Sequence, residues 1–415
     1  MNTELKINRN SSKIIKLKKI SDRVLNQKNV SLIRRRTRLE NVDYEVLGHE
    51  EDKLDKEKFI FTISIVTYNR YEYAKIAINS VLRQTYKNIE LILIDQCADE
   101  QVSALCNEIF QSNSNVKLIR TKGKKLEFND FKFFDDIDEP LINIWNAALF
   151  VSIGHGVFGL CDDDCLNEVY VEKIVNLFIE NKNCVTAGSD VQTINENGIK
   201  NELYFKYAHK RYTPANIFLE NYMNDKNFFS APGSYFCVRS DVIIKEGGWD
   251  YVIDWSPIFR FMIYGDHGYD SDAILNWRHH IGQAHWLNHC CVFYNSRLKW
   301  LLDYNVQNNI AKEIGEELSQ KFTKFYLNFI FDEMKLSFMW ACRSGQLENI
   351  IGVAKEIRQQ EPNINIYKHV SMIDILKTYL FANLLQLYSR SPLFQKYWRK
   401  IKVNKARVTE LLKFN

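Results

Sequence analysis

Residues 59–66 (FIFTISIV) and the two segments that follow them carry the strongest fold signal in the chain. The first stretch is apolar and rich in β-branched residues, which predicts a buried strand. Residues 73–84 then place apolar side chains at helical spacing, and ELILID at residues 90–95 predicts a second buried strand. A helix between two such strands is a βαβ unit, which predicts a parallel sheet covered by helices on both faces.

The same alternation continues along the chain. Residues 101–110 have a helical pattern, residues 116–119 predict a third strand, and a buried helix from Pro140 leads to an apolar strand at residues 157–160. Ligands bind at the carboxyl ends of the strands in such sheets. We therefore expect one crevice to collect the polar groups at those ends: Thr67 to Arg70, Asp95 and Gln96, Arg120 to Lys122, and Asp162 to Asp164.

Asp162, Asp163 and Asp164 form an acidic cluster directly after the strand at residues 157–160. Three adjacent carboxylates repel one another, and burying them is costly unless a cation or hydrogen-bond donors offset their charge. Mg²⁺ and Mn²⁺ prefer carboxylate oxygen and often bridge to phosphates. The chain has neither a Gly-x-Gly-x-x-Gly nor a Walker lysine motif, so we expect a metal here to neutralise a bound phosphate. The alternative is a solvated acidic turn.

Three segments closely resemble the opening of the family-2 glycosyltransferases, which have the GT-A fold: SIVTYNR at 64–70, SVLRQTY at 80–86 and ELILID at 90–95. Residues 146–148 (NAA) and the acidic cluster resemble that family's Asn-containing helix and Asp-x-Asp strand end. The resemblance covers residues 59–297. It implies an α/β fold, with a GT-A (Rossmann-like) and mostly parallel sheet flanked by helices.

The resemblance also implies a nucleotide site at the strand ends. Cys161 stands where the family usually carries the first Asp of Asp-x-Asp, so Asp162 is expected near the ribose or a phosphate. Gln96 replaces a second acidic residue and can still bond to a base edge, which favours uracil and leaves thymine and guanine open. The expected nucleotide-binding residues are Thr67, Tyr68, Asn69, Arg70, Asp95, Gln96, Lys122 and Asp162.

A metal site follows from the same resemblance. Mn²⁺ or Mg²⁺ is expected on Asp163 and Asp164, and a histidine further along the chain would complete the shell. His285 is the first choice for that ligand and His289 is the second. A separate zinc site built from the histidines and cysteines of this segment is disfavoured, because no second matched pair of ligands is present.

Residues 270–278 (DSDAILNWR) are similar to the family's Glu-Asp-x-x-Leu-x-x-Arg stretch, with Ser271 in place of Glu. Asp272 then takes the position of the catalytic base, and Asp270 is the substitute. Inverting transfer needs one base to take the acceptor proton opposite the leaving diphosphate, whose oxygens a metal stabilises. The alternative for Asp272 is that it caps a helix over residues 273–278.

We expect three regions: a charged N-terminal extension at 1–57 without a clear strand, a GT-A domain at 58–302, and a C-terminal helical region at 303–415. Residues 394–402 are basic with interleaved aromatics, as in amphipathic helices at membrane surfaces. The alternative is a helix packed on its own domain or on a partner subunit, and a homo-oligomer is left open.

Bulk properties bear on location and partners. The net charge of +4 is too small to predict nucleic-acid binding. The first twenty residues lack the long apolar core of a signal peptide, and nine scattered cysteines favour a reducing compartment. The expected location is the cytoplasm, with the inner face of the membrane as a further option.

The sequence thus predicts a metal-dependent, inverting glycosyltransferase of hexosyltransferase type. Its donor would be a nucleoside-diphosphate sugar, with UDP favoured, and its acceptor a saccharide or lipid-linked saccharide hydroxyl in cell-surface polysaccharide or glycoconjugate synthesis. A sugar nucleotidyltransferase is an alternative, although residues 67–73 lack the Gly- and Arg/Lys-rich loop usual there. A non-catalytic protein that binds sugar nucleotides or glycans is another, favoured by Cys161 and Ser271 at usually acidic places. The sequence leaves the sugar, the acceptor and the linkage open.

Overall fold

The computed structural model describes residues 14–16, 44–97, 99–121, 140–205, 210–224, 236–249, 260–280 and 304–326. The chain divides into two compact units, Met1–Gly282 with Asn308–Ser319 and Gln283–Gln307 with Gln320–Asn415. These limits differ from the predicted boundaries after residues 57 and 302. The predicted site residues Lys122 and His285 lie outside the described residues, and so does the basic segment at 394–402.

Strands and helices alternate from residue 61 to residue 161, as the βαβ pattern predicts. The strands are β1 (Ile14–Lys16), β2 (Tyr44–His49), β3 (Phe61–Thr67), β4 (Ile89–Asp95), β5 (Val116–Thr121), β6 (Gly156–Cys161), β7 (Cys165–Leu166), β8 (Cys184–Asn195), β9 (Lys200–Phe205), β10 (Tyr212–Thr213), β11 (Cys237–Arg239) and β12 (Asp266–His279). The helices are α1 (Tyr71–Leu82), α2 (Glu100–Ser112), α3 (Pro140–Val151), α4 (Tyr170–Glu180), α5 (Ala215–Asn224), α6 (Ser240–Lys245) and α7 (Tyr304–Ile314). None of the described helices is long and apolar enough to cross a membrane.

The strands form one sheet in the order β1-β2-β5-β4-β3-β6-β11-β8-β12-β10, with β7 on β12 and β9 on β8. Strands β3, β4, β5, β6, β8 and β12 run in one direction, and β11 lies antiparallel between β6 and β8. The predicted α/β fold with a mostly parallel sheet is confirmed, with antiparallel pairing at the edges and at β11 inside the sheet.

Local sequence explains the first βαβ unit. Strands β3 and β4 are buried at every position, as expected for strands covered on both faces. Helix α1 buries Ala74, Ala77, Ile78 and Val81, which are the residues at helical spacing. Helix α2 begins after Asp99, whose Oδ1 accepts hydrogen bonds from the backbone N–H groups of Gln101 and Val102.

Two sequence expectations are wrong. The N-terminal segment does contain strands, because β2 pairs antiparallel with β5 and extends the sheet beyond the predicted domain start. Residues 273–278 form part of β12 rather than a helix. Their apolar residues fit either period over so short a run, and pairing with β8 over Ile274 to His279 selects the strand.

Two close contacts fix the approach to the acidic cluster. Gly159 in β6 lies under the ring of Trp145 in α3, where a Cβ would come within 1.2 Å of Cζ3. Asn146 of the same helix accepts a hydrogen bond from the Trp249 N–H at 2.7 Å and donates one to the Trp249 carbonyl at 3.0 Å. Helix α3 therefore clamps β6 and the turn at residues 247–249 in place.

Candidate functional site

The acidic cluster lies at the carboxyl ends of the central strands. Val66 of β3 pairs with Cys161 of β6, so the loop after β3 and the turn after β6 are neighbours. Asp162, Asp163 and Asp164 are only 1%, 8% and 3% exposed. A solvated acidic turn is therefore excluded, and the charge of three buried carboxylates has to be offset by nearby groups.

Arg70 supplies the main offset. Its Nη2 donates to Oδ1 of Asp162 at 2.5 Å, and its Nη1 donates to Oδ2 of Asp163 at 2.6 Å. Burial disfavours the charged form of Arg70, but the carboxylates of Asp162 and Asp163 outweigh this and raise its pKa above the ordinary arginine value. Arg70, expected in a base pocket, thus bridges two members of the acidic cluster.

The end of β12 closes the other side of the cluster. The backbone N–H of Arg278 donates to Oδ1 of Asp164 at 2.9 Å, and its Nε donates to the Asp163 carbonyl at 2.9 Å. The Arg278 guanidinium also lies 4.7 Å from the centroid of the Tyr73 ring, which is a cation–π distance. Arg278 therefore orients the turn through the Asp164 carboxylate and the Asp163 backbone carbonyl.

His280 and Tyr73 also join the site, although sequence analysis did not assign them to it. Nε2 of His280 lies 3.1 Å from Oδ2 of Asp163, and its ring centroid is 5.0 Å from that of Tyr73. The histidine expected beside the metal was His285 or His289, further along the chain. The available signal was the position of His279 and His280 directly after an apolar run that could end at the crevice.

Asp162 and Asp164 hold protons more tightly than an ordinary aspartate does. Burial raises the pKa of Asp162 to about 6, with Arg70 acting against the shift and Asp163 adding to it. Burial also raises the pKa of Asp164 well above its ordinary value, reinforced by the charge of Asp163 and opposed by the Arg278 N–H. Net stabilisation of negative charge at this site is therefore incomplete, and a further cation would be favoured.

The donor set fits a divalent cation. Single ligand atoms of Cys161, Asp163 and Asp164 lie within 4.8 Å of one another. Within the described part of the chain, the hydrogen bonds to these two carboxylates go to Oδ2 of Asp163 and Oδ1 of Asp164. The other oxygens, Oδ1 of Asp163 and Oδ2 of Asp164, are the ones left for an ion. Carboxylate oxygens suit Mg²⁺ or Mn²⁺, whereas the thiol of Cys161 is a softer donor that these ions prefer less.

The predicted base-pocket loop is only partly turned toward the cluster. The Tyr68 N–H donates to Oδ2 of Asp162 at 3.3 Å, and Asn69 is exposed. The Thr67 hydroxyl instead donates to the Ile94 carbonyl at 3.0 Å, facing Cys106 on the helix side. Thr67 thus supports the strand end, so a direct contact with a base is not expected from it.

Asp95 ends β4 beside this loop and is 1% exposed. Its Oδ1 accepts hydrogen bonds from the Cys97 N–H at 2.8 Å and the Ser103 hydroxyl at 3.0 Å. Its Oδ2 is buried without a hydrogen-bond partner among the described residues, and the nearest cation is Nε of Arg120 at 3.9 Å. Gln96 follows it, half-buried, with its backbone N–H bonded to the Thr67 carbonyl.

Asp272 and Asp270 form ion pairs with residues outside the acidic cluster. Asp272 lies in the irregular stretch of β12 between Asp270 and Ile274, and its carbonyl accepts a 2.7 Å hydrogen bond from Nδ2 of Asn167. Its side chain is 67% exposed and pairs with Lys173 of α4 at 2.8 Å. Asp270 pairs with Arg211 at 3.0 Å. The role of Asp272, or of Asp270, as the catalytic base stays a prediction, and both carboxylates form ion pairs in this structure.

Comparisons with known proteins find similarity to glycosyltransferases. Residues 62–127 match the family Glycosyl transferase family 2. An uncharacterized glycosyltransferase of Haemophilus influenzae is 22% identical over 363 residues, covering 83% of this chain and 98% of that protein. One from Rickettsia felis is 28% identical over 157 residues, which is 38% of this chain and 23% of that protein. The chain thus spans about a quarter of the length of this rickettsial relative.

Among solved structures, S. aureus TarS 1–349 in complex with UDP-GlcNAc is similar at 15% identity with a TM-score of 0.46. The similarity covers 72% of this chain and 92% of that one.

Proposed function

We propose that this chain is a family-2 glycosyltransferase that transfers a sugar from a nucleoside-diphosphate sugar to a hydroxyl group, with inversion. The observation that carries this proposal is the buried acidic cluster against the loop after β3, joined by the hydrogen bond from Tyr68 to Asp162. Carboxylates at the carboxyl ends of parallel strands are placed where nucleotides bind in such sheets. Their charge suits a cation that holds a diphosphate.

The nucleoside would lie at the ends of β3 and β4. Oδ2 of Asp95 is a buried acceptor that a ribose hydroxyl or a base N–H could satisfy, which supports a nucleoside in this place. Gln96 beside it can both donate to and accept from a base edge. Together they favour uracil, so UDP sugars are the first donors to test.

Asp163 and Asp164 would hold Mn²⁺ or Mg²⁺, through the oxygens that their hydrogen bonds leave over. The chemistry that such an ion supplies when bound is stabilisation of negative charge on the leaving diphosphate. Asp162 has a different role, because one of its oxygens accepts from Arg70 and the other from Tyr68. It fixes the loop that precedes α1.

Fewer of the described residues bear on the acceptor. The acceptor that we propose is a saccharide or lipid-linked saccharide in cell-surface polysaccharide or glycoconjugate synthesis, at the cytoplasmic side of the cell. Asp272 is exposed and paired with Lys173, so its role as base is a prediction that the placement of the side chain does not favour.

Release of UDP from a panel of UDP sugars, with and without Mn²⁺, tests the proposal. We expect UDP release from at least one donor, and we expect EDTA to abolish that release. Asp163→Asn should lower metal-dependent release by about 100-fold or more, because the ion loses a charged ligand. Asp241→Asn, at an exposed position of helix α6, is the matched control and should behave like the wild type. Donor binding without any release or transfer would instead indicate a binding protein.

A further inference from the structure

The acidic cluster already contains a cation that belongs to the chain. We propose that Arg70 is a built-in counter-cation that competes with the divalent metal, so that metal binding displaces its guanidinium from Asp163. The inference rests on the proposed function only in taking a divalent cation as the ligand of the cluster. It adds that, in the metal-free protein, the Arg70 guanidinium occupies the acidic cluster and keeps it folded.

The contacts of Arg70 match this role. One nitrogen lies 2.5 Å from Asp162 and the other 2.6 Å from Asp163, so a planar guanidinium spans two carboxylates at once. Nε2 of His280 lies 3.1 Å from the same oxygen of Asp163. Nitrogen atoms of two side chains therefore converge on Asp163, which is also the first choice for a metal ligand.

A metal on this cluster would lie very close to that guanidinium. Mg²⁺ binds carboxylate oxygens at about 2.1 Å. Nη1 of Arg70 is 2.6 Å from Oδ2 of Asp163, so an ion on either oxygen of that carboxylate would stand within a few ångströms of a like charge. Such pairs repel strongly in a buried site, where water screens them little. Either the ion binds weakly or Arg70 moves.

Movement of the side chain alone is feasible. The Arg70 side chain is 29% exposed, and its long stem can swing toward solvent. Its backbone is held in place, since its carbonyl accepts a 2.8 Å hydrogen bond from the Ala74 N–H in α1. Displacement would free one cation beside the loop after β3, where an anionic donor is proposed to bind.

Mn²⁺ titration of the full-length protein without any nucleotide, followed by calorimetry or by the EPR signal of free Mn²⁺, tests the inference. Arg70→Gln should bind Mn²⁺ at least about tenfold more tightly than the wild type, because the competing charge is gone. Arg83→Gln, at the exposed end of α1, is the matched control and should bind like the wild type.

A second variant keeps the test decisive if Arg70→Gln does not fold. Arg70→Lys retains the charge but cannot bridge two carboxylates, so we expect Mn²⁺ affinity about threefold above the wild type. Equal or weaker Mn²⁺ binding in the folded variants, or no Mn²⁺ binding in any of them, would overturn the inference. These titrations contain no sugar nucleotide. The UDP-release assay therefore tests the transferase proposal independently, and one proposal can fail without the other.

Discussion

The backbone N–H of Arg278 donates a 2.9 Å hydrogen bond to Oδ1 of Asp164, although 114 residues separate them in the chain. This bond ties the end of β12 to the turn after β6. Arg70 holds the same turn from the other side, through Asp162 and Asp163. The acidic cluster is therefore clamped between two distant segments, and its ionisation affects the stability of the whole site.

The first prediction concerns pH. The pKa of Asp162 is about 6 in the folded protein, above the ~3.9 of an unfolded aspartate. Between these values the folded state binds more protons than the unfolded state, so this group adds stability as pH falls from about 7 to about 4.5. Ionisation of Asp162 at pH 8 then costs on the order of 2–3 kcal/mol, about 1.4 kcal/mol per pKa unit. The raised pKa of Asp164 acts in the same direction.

Urea unfolding in EDTA from pH 4.5 to 8 checks this. As pH rises, the unfolding free energy of the wild type should fall by about 2 kcal/mol or more relative to that of Asp162→Asn. Glu220→Gln on the exposed face of α5 is the control, and its curve should run parallel to the wild type. A difference that stays constant with pH would show that burial does not perturb Asp162.

The second prediction concerns Gly159. A Cβ at this position would lie 1.2 Å from Cζ3 of Trp145, so Gly159→Ala should lower the unfolding free energy by about 3 kcal/mol or more. Trp145→Leu creates space, and the double variant should recover part of the loss. Chemical denaturation of both single variants and the double variant gives the coupling. Strictly additive losses would mean that the tryptophan ring is not the obstacle.

The third prediction decides the role of Asp272. As a catalytic base, Asp272→Asn would reduce transfer by orders of magnitude without affecting donor binding. The exposed ion pair with Lys173 leads us to expect transfer within about threefold of the wild type. Steady-state kinetics with a competent donor and acceptor checks this, with Lys173→Gln as the matched control. A collapse of kcat in Asp272→Asn alone would restore the sequence assignment.

Much of the first βαβ unit could be predicted because its signals are local. The buried runs of β3 and β4 and the apolar face of α1 each follow from residues within one element. The segment at 273–278 could not be assigned in this way. Its choice between helix and strand depends on pairing with β8, about eighty residues earlier in the chain.

In the candidate site too, the local features could be predicted and the contacts between distant residues could not. Asp162 to Asp164 were predicted as a cluster because they are adjacent in the chain and follow an apolar strand. Arg70 was predicted near the site, since loops after parallel strands share one sheet edge. That Arg70 would bridge Asp162 and Asp163, and that His280 would join them, depends on side-chain directions that no spacing encodes.

Sequence alone was enough to predict the strands and helices from β3 to β6, the acidic turn after β6, and the resemblance to a glycosyltransferase family. The burial of the three carboxylates, their contacts with Arg70 and Arg278, and the pairing of Asp272 with Lys173 became known from the folded chain. The difference lies in the range of the interactions. Periodicity and turn chemistry act over a few residues, whereas burial and charge pairing depend on segments that meet only when the sheet has formed.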